Sequence, residues 1–160
     1  MRSSNQQDAG RGVDLGRQRD ILIFNRNEQR VTMEYTFGAV ASGTMEEVEA
    51  RVTAALGDEG FGVLTRVDVS ATLKEKIDVE RDPYIILGAC NPVLADRMIS
   101  VDGEIGALLP CNVVLRQDGA EVAVRFMDPD AILSVVDAPD AGVIATEARE
   151  RLMRVASAIG

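Results

Sequence analysis

Pro110-Cys111-Asn112-Val113-Val114-Leu115, then Asp118-Gly119, then Glu121-Val122-Ala123-Val124-Arg125-Phe126 is the stretch that decides the fold. Two apolar runs of strand composition flank an Asp-Gly pair, and glycine accepts the positive φ that a tight hairpin turn needs. The two strands are therefore antiparallel neighbours. That argues against a doubly wound parallel sheet, whose strands are joined by crossover helices.

Working outward, Tyr84 to Cys90 is continuously apolar, the mark of a central strand covered on both faces. It ends at Asn91-Pro92, where asparagine is a preferred N-cap and proline suits the first helical position. Val93, Leu94, Met98 and Ile99 form the apolar side of the helix that follows. Phe61 to Val69 predicts another strand, with Phe61, Val63, Val67 and Val69 on one face. After it, Thr72-Leu73-Lys74-Glu75-Lys76-Ile77 reads as a short helix opened by a T-x-x-E capping box and burying Leu73 and Ile77.

The first patterned strand is Val31 to Phe37, which alternates with Val31, Met33, Tyr35 and Phe37 on one face. A second capping box, Thr44 with Glu47, opens a helix through Met45, Val48, Val52, Ala55 and Leu56, with Gly57 as its stop. Beyond the hairpin, Asp128-Pro129-Asp130 starts a helix through Ile132, Leu133 and Val136. Pro139 breaks it, and a last amphipathic helix carries Ile144, Ala148, Leu152 and Val155 on one side. The fold class is therefore α+β: a two-layer sandwich of a mostly antiparallel five-stranded sheet with helices on one face. Such a sheet leaves an apolar face uncovered, so a homodimer is expected.

The 160 residues, 46% hydrophobic and 27% charged, suit one core. Net charge is −9 with no basic stripe, so nucleic acid and anionic membranes are poor partners. The longest apolar runs are far too short to span a bilayer. Two cysteines without an apolar signal segment point to a cytoplasmic protein with reduced thiols. Residues 1–30 are polar and carry six arginines against three aspartates and one glutamate, so a disordered leader is expected there. Within it only Ile21-Leu22-Ile23-Phe24 is apolar. Residues 31–137 form the patterned domain, and 138–160 stand apart as a helical extension.

The chain has no histidine. That removes Ser-His-Asp and Cys-His nucleophile pairs and HExxH zinc sites. No dinucleotide or phosphate-loop glycine motif is present either, so no cofactor is expected and an enzyme is the less favoured reading. The candidate site is the pair of tripeptides Cys90-Asn91-Pro92 and Pro110-Cys111-Asn112, which hold the only two cysteines. If their strands are antiparallel neighbours, both cysteines lie at one end of the sheet; a parallel crossover would put them a strand length apart, roughly 17–20 Å. The first arrangement is favoured. Each position also has a bland explanation: small buried thiols, a cap, a first-turn proline. Asp68 suits a helix cap and Lys76 a solvated face. One physical argument favours chemistry, since a helix N-terminus after Asn91 would stabilise a thiolate at Cys90.

The segments Phe61–Val69, Thr72–Lys76, Tyr84–Pro92 and Leu108-Leu109-Pro110-Cys111-Asn112-Val113, in this order and spacing, resemble the DUF302 family over residues 31–137. The resemblance implies a small α+β fold, often dimeric, with no established activity and no catalytic residues to carry over. The family pattern falls on Asp68, Lys76, Cys90, Asn91, Pro92, Pro110 and Cys111. Two readings follow. One is a dimeric binding or accessory domain that holds a small molecule or protein partner at the Cys90/Cys111 sheet edge. Asn91, Pro110, Asn112, Asp68 and Lys76 are its further candidate contacts. The alternative is a thiol-dependent redox, persulfide or soft-metal protein, with Cys90 and Cys111 as the only metal candidates.

Overall fold

The computed structural model describes residues 21–24 and 30–160. It divides into two units, Met1–Met33 and Glu34–Gly160. In the first, strands β1 (Ile21–Phe24) and β2 (Arg30–Met33) pair antiparallel, with Ile21 opposite Met33. The rest of the expected leader lies outside the described residues.

The second unit runs β3 (Thr36–Ser42), α1 (Met45–Asp58), β4 (Gly62–Asp68), α2 (Val69–Ile77), β5 (Tyr84–Cys90) and α3 (Pro92–Val101). A 3-10 helix (Gly103–Leu108), β6 (Cys111–Asp118), β7 (Glu121–Met127), α4 (Pro129–Leu133) and α5 (Pro139–Ile159) complete it. The sheet has the order β3-β7-β6-β5-β4, and every neighbouring pair is antiparallel. The expected hairpin closes with Asp118 opposite Glu121 and Gly119 at φ +63°. The α+β class with a five-stranded antiparallel sheet packed against helices is thus the observed one.

Register sets the faces. Phe37 lies opposite Phe126, which lies opposite Val113; Ala39 lies opposite Val124, which lies opposite Leu115. These residues, with Leu87 and Ala89 of β5, form one core with Val48, Val52 and Leu56 of α1 and Leu152, Val155 and Ile159 of α5. Phe37 and Phe126 stack with centroids 5.7 Å apart. The small Ala39 and Ala41 of β3 leave room for the end of α5, since a Cβ on Gly160 would stand 3.2 Å from that of Ala39. The opposite face carries Val40, Val114, Ile86 and Val67 by the same alternation, and Val40 and Val67 are 44% and 45% exposed.

Several local expectations are corrected. The alternating run 31–37 is not one strand: β2 ends at Met33 and β3 begins at Thr36. β4 does not present Phe61, Val63, Val67 and Val69 on one face, because a bulge between Val63 and Thr65 shifts the register. Val63 then lies opposite the core residue Ala89, while Val67 lies opposite Ile86 on the other face. Helix α2 starts at Val69, and its cap is Asp68, whose Oδ1 accepts from the Ala71 N–H at 2.9 Å. Thr72 and Glu75 form no box there. No residue of α2 is buried, and Ile77 is 63% exposed. The Thr44/Glu47 box is present, but α1 passes Gly57 and turns at Gly60, φ +81°.

The largest difference concerns the C-terminus. α5 buries Ala141, Ile144, Ala145, Ala148, Leu152, Val155, Ala156 and Ile159, and the boundary expected after residue 137 divides nothing in this unit. Pro139 separates α4 from the last helix as expected, and it stands as the first residue of α5, a position that proline favours. Arg149 anchors the helix further: its Nε donates to the Asp128 carboxylate at 2.9 Å, and its guanidinium sits 5.6 Å from the Phe37 ring centroid. No helix of the described residues is long and apolar enough to cross a membrane.

Candidate functional site

The β5–β6 register places Ala89 opposite Cys111, so Cys90 and Cys111 do lie at the same end of the sheet. Here the chain leaves β5 through Asn91 into α3. A second apolar cluster caps this end, built from Leu94 and Met98 of α3, Ile105 of the 3-10 helix, Leu133 of α4 and Ile144 of α5. Between this cluster and the sheet runs a cleft lined by Phe61, Ala89, Cys90, Leu94, Met98, Cys111 and Met127, among others. The space is about 30 Å³. That is room for one or two water-sized occupants.

Asn91 frames the mouth. It is 6% exposed; its Oδ1 accepts from the Leu94 N–H at 3.2 Å, and its Nδ2 reaches the Glu59 carbonyl at 3.5 Å. Arg151 donates to the same carbonyl at 3.3 Å and to Glu147 at 2.8 Å, and Arg97 donates to Glu147 at 2.8 Å. Arg154 grips the Glu59 carboxylate at 2.9 and 2.8 Å. Bonding to Arg154 holds the Glu59 carboxyl below its usual range, and Arg97 with Arg151 does the same for Glu147. The end of α1, the start of α3 and the middle of α5 are thus tied together around the cleft. Sequence reading missed this frame. Glu59 and Arg151 are remote in sequence, and no spacing signals such a pair.

The thiols differ from expectation. Burial pushes the Cys90 thiol up, and it pushes Cys111 up to about 11, with the neighbouring Cys90 adding to the effect. At Cys90 desolvation opposes the helix N-terminus, and Asn91 already satisfies the Leu94 amide. Both cysteines are free. Among the described residues, no three cysteine, aspartate or glutamate side chains cluster as metal ligands.

The remaining candidates separate. Pro110 packs beside Gly88, where an added Cβ would come within 2.8 Å of Pro110 Cγ. Asn112, opposite Gly88, is exposed. Asp68 lies opposite Ile85, at the end of β4 remote from the Gly62–Cys90 pair. Lys76 sits on the exposed end of α2, 2.6 Å from Glu75. Asp68 therefore does not belong to the cysteine end of the sheet.

Asp68 has a structural task. Its carboxyl is held below the usual aspartate range, first by the Ala71 N–H and then by the Ser70 hydroxyl. Asp68→Ala is expected to cost about 1 kcal/mol at neutral pH by removing the cap of α2. A lowered carboxyl pKa stabilises the fold above the unfolded-state value, and that contribution is lost as pH falls through the folded-state value. Melting curves of the two proteins should therefore converge in acid. A gap independent of pH would contradict the assignment.

The comparisons with known proteins fit this architecture. None of the curated proteins matches the chain. Among solved structures, it is similar to the crystal structure of an uncharacterized conserved protein DUF302 from Bacillus stearothermophilus, at 27% identity and a TM-score of 0.76. That match covers 80% of this chain and 100% of the other. The family model described as "Domain of unknown function DUF302" matches residues 38–159, and so includes α5. With that span well over half its length, the chain belongs to the DUF302 family.

Proposed function

We propose that this chain is a cytoplasmic binding module, not an enzyme, which works as a homodimer and takes a small ligand in the cleft at the Cys90/Cys111 end of the sheet. The cleft itself carries the reading. It is an apolar space between two packed clusters, framed by a buried asparagine. Apolar spaces edged by a few polar groups are the default place for a ligand, and at about 30 Å³ this one must widen to admit an organic molecule. A nucleophile is poorly supported: burial favours the neutral thiols, and neutral thiols react slowly. The same observation weighs against a redox or persulfide role.

Dimerisation is supported by the face of the sheet that carries Val40 and Val67, each nearly half exposed, and by α2, whose Ile77 projects into solvent. A short helix with nothing buried gains little stability alone, and a second copy would supply the missing packing.

The test is native mass spectrometry of protein purified from its own host. The expected spectrum shows a dimer carrying a small non-protein mass. Ala95→Phe, which fills the cleft from α3, should keep the dimer and lose that mass. A bare monomer would contradict both parts of the proposal. An adduct that survives Ala95→Phe would place the ligand elsewhere.

A further inference from the structure

The two edges of the sheet are built differently. β4 carries the bulge between Val63 and Thr65 and the charged Arg66 and Asp68, features that keep a strand edge from pairing with another chain. β3 has none of these. Thr36-Phe37-Gly38-Ala39-Val40-Ala41-Ser42 has no charge, proline or bulge, in a chain of net charge −9. Among the described residues, no strand lies on its outer side.

The ladder decides which backbone groups β3 leaves free. The Asp128 N–H donates to the Tyr35 carbonyl, so Tyr35 and, by alternation, Phe37, Ala39 and Ala41 turn their backbone groups towards β7. Thr36, Gly38, Val40 and Ser42 turn theirs outward. Arg51 of α1 agrees with this, since its guanidinium donates to the Ser42 carbonyl. Gly38, Val40 and Ser42 are exposed. Such a row of free N–H and C=O groups is a template for a further strand.

β3 fits a second copy of itself. With the two strands antiparallel about Ala39, Gly38 and the partner's Val40 form a hydrogen-bonded pair through the groups that face outward. Thr36 then meets the partner's Ser42, hydroxyl to hydroxyl, and Phe37 meets the partner's Ala41, large against small. Charge is complementary as well. The exposed Glu34, at the entry to β3, comes to the end of the partner strand that Arg51 of the partner subunit reaches, and two-fold symmetry makes this contact twice. The last turn of α5 lies over β3, and there Ser157, Ala158 and Gly160 are exposed, all small enough to leave the partner room.

We infer that two copies of this chain join edge to edge through β3, antiparallel about Ala39, so that two five-stranded sheets continue as one. The inference rests on the homodimer reading and names its seam. Val40 lies on that seam, whereas Val67 on β4 and helix α2 stay outside it.

The test is sedimentation velocity of the full-length protein over a dilution series, with circular dichroism as the check on folding. The wild type is expected to be a dimer. Val40→Lys sets like charges across the seam and should raise the dimer dissociation constant by about 100-fold or more, with an unchanged spectrum. Val67→Lys makes the same change at the other edge and should leave the dimer intact. Glu34→Arg and Arg51→Glu should each weaken the dimer by about 10-fold, and the two together should restore it. If Val40→Lys does not fold, this exchange of charges decides alone. A wild-type monomer would overturn the inference together with the homodimer reading. A dimer that withstands Val40→Lys and both single charge reversals would overturn the inference and leave that reading standing.

Discussion

A chain cut after residue 137 is expected to lose the fold altogether, not to survive as a domain without its tail. α5 supplies Ile144, Leu152, Val155 and Ile159, each at most 4% exposed. At 1.5–3 kcal/mol per buried side chain, these four contribute roughly 6–12 kcal/mol. A whole domain is stable by only about 5–15 kcal/mol. The cut would also strand Asp128, which is 8% exposed and paired with Arg149, and free Glu59 from Arg154. Circular dichroism of the 1–137 fragment should show no cooperative melt. A fragment that melts cooperatively would mean that the sheet and α1 form a sufficient core, contrary to the packing described.

The second large effect is expected at Gly38. This residue lies opposite Arg125 on the β3–β7 ladder, and a Cβ there would fall onto the Val124 carbonyl, 2.9 Å from its carbon. The obstruction is backbone of an interior strand, which cannot rotate aside as a side chain can. Gly38→Ala should therefore push β3 off the sheet and cost about 1–3 kcal/mol, the usual range of overpacking effects. In a protein of this size that lowers the melting temperature by roughly 3–12 °C. Gly142→Ala is the matching control. Gly142 sits within α5 with nothing within 4 Å of an added Cβ, so alanine should stabilise by about 0.5–1 kcal/mol. Equal melting temperatures for the two variants would refute the steric account of Gly38.

Much of this architecture is legible in particular residues. Asp118-Gly119 announces a hairpin because few dipeptides tolerate that turn, and an antiparallel pair in turn implies that Cys90 and Cys111 share one end of the sheet. Asn91-Pro92 likewise announces α3, since cap and first-turn proline each have a local cause. Features with tertiary causes stay hidden. β3 reads Phe37-Gly38-Ala39-Val40-Ala41, too small to look like a core strand, because α5 takes up the volume that larger side chains would fill. The β4 bulge leaves the written alternation intact while turning Val67 to the other face. Pro139 has the same residue chemistry at a domain boundary as at the first turn of a core helix.

The site shows the same division. Cys90, Asn91 and Cys111 come together through strand register, which short-range signals determine. The frame of Glu59, Glu147 and three arginines depends on how α1, α3 and α5 pack. Asp68 drops out because it lies at the other end of β4, a consequence of register and not of residue type.

The central claim is that this chain binds a ligand in the cleft between Cys90, Cys111 and Met98. The most direct measurement is a crystal structure of the protein purified from its own host without added ligand, examined for density in that cleft. The account predicts a bound occupant in contact with the cysteine sulfurs. A cleft closed by its own side chains, with a ligand resolved at another surface, would contradict it.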